Sequence, residues 1–190
     1  MPITYAALSP EDVRRHRDEL AEVYGNAFAV AGSEEQRRFI NEQLPRHMIY
    51  AGFRLIAANE DAALVGFVYG YHSTPGMWWH DLVRSAMSPP VADSWLRDAL
   101  EFVELAVHPD HHGRGIGGHL HDLILADAPE ARALLSTAQR DSAAMALYRK
   151  RGWVLLVEPF RYPDSAATNV IMGFDLCHHR PPHPNAPPEV

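Results

Sequence analysis

Residues 102–124 read FVELAVHPDHHGRGIGGHLHDLI, Phe102 through Ile124, and the order of residue types within them decides the fold. The opening residues complete an apolar run from Leu100 to Val107, which predicts a strand stopped by His108-Pro109-Asp110. The closing residues begin a helix over Ile116 to Ala126, with Leu120, Leu123 and Ile124 on its buried side. Between them, His112-Gly113-Arg114-Gly115-Ile116-Gly117-Gly118 gathers four glycines. A loop lacking Cβ atoms can turn its amides inward and let an anion approach, and the dipole of the helix beginning there adds favourable charge. Tight strand-to-helix turns also use glycine, so the glycines alone leave a purely structural role open. The spacing excludes two other phosphate loops. No Lys-Ser/Thr pair follows, as a nucleoside triphosphate loop requires, and the segment does not stand behind the first strand of a βαβ repeat.

Outward from this segment, Ile3–Leu8 predicts an opening strand, and Ser9-Pro10-Glu11-Asp12 starts a helix through about Val23 or Tyr24. Ser33-Glu34-Glu35-Gln36 reads as a capping box for a second helix that Pro45 stops. Phe53–Ala58 and Ala63–Tyr71 flank the turn-rich Asn59-Glu60-Asp61 as a hairpin. The stretch from His72 to Pro90 reads as a long loop, the kind that forms lids or binding surfaces, and a short helix follows over Val91–Leu96. Ala131–Thr137 predicts a strand, Ser142–Arg151 a helix ended by Gly152, and Trp153–Val157 with Val170–Leu176 a final pair of strands. This order predicts an α/β (α+β layered) domain with a mixed central sheet. The domain spans 1–177, and the Pro/His-rich residues 178–190 read as a disordered tail.

Composition bounds the function. The chain of 190 residues, 47% hydrophobic and 22% charged, is sized and composed as one globular domain. A net charge of −7 disfavours a sequence-independent nucleic-acid binder and slightly favours a cationic partner. The single cysteine, Cys177, gives no sign of an oxidising compartment, and no apolar run approaches the roughly 20 residues that span a bilayer. A cytoplasmic, membrane-free location is the expectation. Twelve histidines invite a metal reading, but His119 and His121, two apart on a helix, point to different sides, so no metal is expected.

Two motifs at a set separation carry a family resemblance. The first is Glu104-Leu105-Ala106-Val107-His108-Pro109 with its loop, where His112, Gly115 and Gly117 fall on the pattern Arg/Gln, two residues, Gly, one residue, Gly/Ala. The second is Ala144, Tyr148, Gly152 and Trp153, matching Ala, three residues, Tyr, three residues, Gly and an aromatic. Together they resemble the GCN5-related N-acetyltransferase (GNAT) family over about Phe53 to Leu176. His112, where Arg or Gln is usual, and Asp141, where Asn often stands, depart from its pattern. The resemblance implies a mostly antiparallel central sheet with helices on both faces, splayed at the strand 100–107. It implies acetyl-CoA as donor and a primary amine as acceptor, with a homodimer compatible with the family's habits.

The resemblance assigns coenzyme A to Leu105, Ala106, Val107, His112, Gly113, Arg114, Gly115, Ile116, Gly117, Gly118, Asp141 and Tyr148. Tyr148 stands at the position whose hydroxyl faces the cofactor sulfur, which makes it the acid for the departing thiolate. Direct attack needs a neutral amine and therefore a base. Glu101 and Glu104 lie on the motif strand with opposite parity, so under regular pleating only one faces the substrate; His72 and His80 are the other candidates. Tyr71, His72, Trp78, Trp79, His80 and Asp81 gather aromatic faces around a carboxylate, which suits a cationic amine. The bulky Trp78-Trp79 loop favours a small-molecule acceptor. A protein N-terminus or lysine remains the alternative acceptor, and a non-catalytic acyl-CoA-binding sensor the alternative function.

Overall fold

Strand β4, Ala99–Val107, forms over the apolar run Leu100–Val107 and begins one residue earlier. The computed structural model describes residues 2–163 and 165–179. These pack as two compact units, the described residues of Met1–Tyr71 with Val103–Asp127, and those of His72–Phe102 with Ala128–Arg180. Seven strands hydrogen-bond in the order β1-β2-β3-β4-β5-β7-β6, a mixed and mostly antiparallel open sheet. Among the described residues no helix is long and apolar enough to cross a membrane.

In the first unit, β1 (Ile3–Leu8) pairs antiparallel with β2 (Arg54–Glu60), and β2 with β3 (Ala63–Ser73). Gly66 on β3 allows close approach, because a Cβ there would stand 3.0 Å from the Ala106 carbonyl oxygen of β4. Ser9 caps α1 (Pro10–Arg15) in a capping box with Asp12. The predicted first helix is divided at His16, where ψ opens to 18°, and resumes as α2 (Arg17–Ala27). Val13, Leu20 and Val23 still bury one continuous face with Phe39, Leu55 and Phe67.

The second predicted helix does not stop at Pro45. Ser33 accepts from the Gln36 amide, but the Gln36 side chain accepts from the Gly32 amide instead of completing the box. After α3 (Glu34–Arg38) the chain widens into a π-turn over Phe39–Gln43, closed by the Leu44 amide on the Phe39 carbonyl, and continues as α4 (Leu44–His47). In α geometry the Pro45 ring would press on the carbonyl four residues back, and the wider turn relieves that clash. Helix α7 (Ile116–Ala126) closes the unit.

The second unit corrects the reading of His72 to Pro90. His72 and Ser73 end β3, and α5 (Trp78–Ser85) and α6 (Pro89–Trp95) replace the loop. The helix forms because Trp79 and Val83, four apart, bury against Leu96, Ala99 and Leu134. Asp81 accepts from the Gly76 amide ahead of the first turn. β4 pairs in parallel with β5 (Arg132–Ala138) over Ala99–Glu101, and β7 (Asn169–Asp175) lies antiparallel between β5 and β6 (Val154–Phe160). Helix α8 (Ala143–Lys150) is capped by Ser142 and followed by Gly152 at φ 86°. The predicted tail begins too early, since Leu176–His179 form a short helix α9; residues 180–190 of it lie outside the described residues.

Candidate active site

The glycine loop of the first unit lies between β4 and α7. A 3₁₀ turn over Pro109–His111 leads from β4 into it, and Gly113 and Gly115 take φ of 74° and 78°, which disfavours any side chain there. Gly115 is the N-cap of α7 and brings no side chain to cap it, so the start of the helix presents backbone dipole. His112 does not reach outward: its Nε2 donates to the Val107 carbonyl at 2.9 Å and pins the loop to the strand end. Arg114 is likewise engaged, donating to both carboxylate oxygens of Glu60 at 3.0 and 2.6 Å. That ion pair holds the Glu60 carboxyl down at about 2. Arg114 therefore orients the loop through the β2–β3 turn.

The same unit contains Glu104, half-buried on β4. Burial pushes its carboxyl up to about 7, a shift opposed by the Gln43 hydrogen bond and reinforced by the charge of Glu35. The Gln43 amide nitrogen donates to Glu104 Oε1 and to Tyr69 Oη, both at 3.2 Å. His47 Nδ1 stands 3.1 Å from the same Tyr69 oxygen. Burial, with the charge of Arg46, lowers the His47 imidazole to about 4, which keeps the ring neutral at physiological pH. Burial followed by the charges of Glu104 and Glu35 raises the Tyr24 phenol above its usual range.

In the second unit, Tyr148 on α8 is buried, edge-on to Phe102 at 6.1 Å and tilted against Trp153 at 5.6 Å. The Trp153 amide donates to the Tyr148 carbonyl at 3.1 Å, so Tyr, Gly and the aromatic of the motif form one packed helix end. Glu101 is buried where β4 pairs with β5. Asp141 is exposed, 3.9 Å from Arg149.

The predicted acceptor residues divide. Tyr71 belongs to the first unit, edge-on to His47 and Tyr50. In the second unit His72 Nδ1 lies 3.5 Å from the buried Glu130 carboxylate. His80 is 1% exposed and donates to Asp81 at 2.9 Å, a contact within the first turn of α5. Trp79 is buried with its indole nitrogen on Tyr162 Oη at 3.0 Å, and the 64%-exposed Trp78 stacks on the Tyr162 ring. Tyr162, Gln43, His47 and Glu60 are not singled out by the sequence. Gln43 and His47 stand four apart, a helical signal that reading Pro45 as a stop conceals. Among the described residues no group of three metal-ligating side chains could hold an ion.

Residues 16–153 match the model of the acetyltransferase (GNAT) family. The chain belongs to the GNAT family. This makes it an acyl-CoA-dependent N-acyltransferase with acetyl-CoA as donor, as the two motifs imply. A GCN5-like protein acetyltransferase of Mycobacterium tuberculosis is 26% identical, the match covering 93% of this chain and 99% of the relative. The PaiA N-acetyltransferase of Thermoplasma acidophilum, solved with coenzyme A, shares the fold at a TM-score of 0.59 and 18% identity, over 92% of this chain and 99% of that one. The ribosomal-protein-S18-alanine N-acetyltransferase of Escherichia coli does so at 0.61 and 15%, over 92% and 94%. In this GNAT chain the uncapped start of α7 and the glycine loop fit a pyrophosphate, because both supply backbone donors without side chains in the way.

Proposed function

We propose that this GNAT enzyme acetylates a primary amine by direct attack, with Glu104 as base and Tyr148 as acid, residues 1–177 working as one acyltransferase domain. The observation that carries the reading is Glu104, a carboxyl raised to about 7 and oriented by Gln43. At neutral pH such a group is divided between its two forms, so it can take the ammonium proton of the acceptor and still release it. The amine nitrogen then attacks the thioester carbonyl, the tetrahedral intermediate collapses, and the carbon–sulfur bond breaks. Tyr148 gives its hydroxyl proton to the departing thiolate, the role the family motif assigns it, and the resulting phenolate takes the surplus proton from the acetylated nitrogen, leaving the neutral amide and free thiol. Leu105, Ala106 and Val107 pair with the pantetheine arm, and the loop from Gly113 to Gly117 takes the pyrophosphate through its amides.

For the acceptor, the likeness to a protein acetyltransferase along nearly the whole of both chains supports an amine carried on a protein, a lysine or an N-terminus. The small-molecule amine is the second reading. It rested on a closing loop, and that segment is instead helix α5 with Trp78 open to solvent; the stacked Trp78 and Tyr162 rings still offer a platform for a cation. The test is free-thiol release from acetyl-CoA with two panels, lysine-bearing and free-N-terminal peptides against diamines and aromatic amines. Selective turnover of peptides supports the first reading and of free amines the second. Absence of coenzyme A binding at millimolar concentration would sink both, coenzyme A binding with no turnover on either panel would instead favour the non-catalytic sensor, and unchanged turnover in Tyr148→Phe would remove Tyr148 as the acid.

A further inference from the structure

We propose that Gln43 is the positioning residue of the Glu104 base, aimed by a hydrogen-bond chain that runs from the π-turn through Tyr69 to His47. The inference rests on the reading of Glu104 as base and adds what sets that base's direction and proton affinity. The Gln43 amide nitrogen has two protons, and it places one on Glu104 Oε1 and one on Tyr69 Oη. His47 Nδ1 stands 3.1 Å from that same oxygen, and in its Nε2–H tautomer the ring accepts the Tyr69 proton. The His47 ring is buried and neutral, so it receives this proton without competing for it. The chain ends in a Gln43 N–H pointed at the Glu104 carboxyl.

The local backbone explains why Gln43 can do this. Gln43 is the last residue of the π-turn, and His47 lies one turn on in α4, so both reach the one Tyr69 oxygen. Single π-turns inside helices recur at functional positions because they re-aim side chains that α geometry would send elsewhere. The groups that face Glu104 are Gln43 from the π-turn, Tyr24 from α2 and the Glu35 carboxylate from α3. Gln43 is the group among these shown donating to the carboxyl. Its donation favours the ionised form, so its loss moves the titration of Glu104 upward.

The experiment reads the carboxyl itself as well as the rate. Protein labelled with carbon-13 at glutamate carboxyls is titrated by nuclear magnetic resonance, Glu104 being assigned by its absence in Glu104→Gln, and kcat/KM for acetyl-CoA turnover is profiled against pH. In Gln43→Leu the Glu104 midpoint is expected to rise by about 0.5 to 1 pH unit, with the acidic limb of the profile rising by the same amount. Gln43→Met, which keeps the chain length, repeats the measurement if the leucine variant does not fold. Tyr69→Phe, which keeps the ring but loosens the amide, should give a smaller shift of the same sign. A midpoint that stays in place overturns the role of Gln43, whatever happens to the rate, since a merely structural residue would lower activity equally at all pH. A midpoint that moves while the limb does not overturns Glu104 as base, and the positioning role with it.

Discussion

At the scale of the residue, Tyr148 and Glu104 differ in how their environments prepare them. Tyr148 is walled by the faces and edges of Phe102 and Trp153, which fix the ring and leave the hydroxyl as its one reactive feature. Tyr148→Phe keeps the ring and, on the proposed mechanism, removes the proton given to the thiolate. Its kcat is expected to fall roughly 100-fold, the usual contribution of one general acid, with affinity for coenzyme A changed little. Stopped-flow thiol release beside calorimetric binding separates the two, and a parallel loss of affinity would mean that the hydroxyl binds rather than catalyses. The choice between Glu101 and Glu104 was not legible from strand parity. Alternation can say that they face opposite ways but not which way carries Gln43, because that partner lies 61 residues from Glu104 in sequence.

At the scale of the element, the glycine loop was legible in its position and its glycines but not in its anchoring. Glycine-rich runs and helix starts are local signals, whereas the Glu60–Arg114 pair joins residues 54 apart and the His112 bond is made to backbone. The pair shapes a loop whose glycines give it no stiffness of its own, so pre-ordering it spares that entropy when the cofactor arrives. Glu60→Gln is expected to raise KM for acetyl-CoA roughly 3- to 10-fold with kcat nearly unchanged, since exposed ion pairs contribute little energy and this one acts through geometry. Steady-state kinetics with acetyl-CoA varied at saturating amine measures it, and a fall in kcat with constant KM would contradict the anchoring role. The α5 segment failed for a different reason. Its proline, glycine and adjacent tryptophans read as loop chemistry, yet Trp79 and Val83 at helical spacing supplied enough burial to override it.

At the scale of the whole molecule, the sequence carried the order of strands and helices and the two motifs, while the sheet order depended on pairings that periodicity does not encode. Stability offers a further reading, because two groups of the first unit pull it in opposite directions with pH. Glu104 titrates at 4.5 in its ordinary setting and about 7 in the fold. Between those values the unfolded chain has released its proton and the folded chain keeps it, so the fold loses stability as pH rises through the window. His47 drops from 6.5 to about 4, so the unfolded chain gains a proton first as pH falls, and the fold loses stability in that direction. The two slopes overlap, and the pH dependence of the native protein alone mixes them. The difference between Glu104→Gln and the native chain isolates the first. Near pH 4.5 the two should be about equally stable, because the native carboxyl is protonated and close in shape to the amide. By pH 8 the variant should be the more stable, by 7 − 4.5 pH units at about 1.36 kcal/mol each, on the order of 3 kcal/mol, while turning over far more slowly. Urea unfolding at the two pH values checks this. Equal stability at pH 8 would mean that water reaches the Glu104 carboxylate, and the base would then lack the proton affinity on which the mechanism depends.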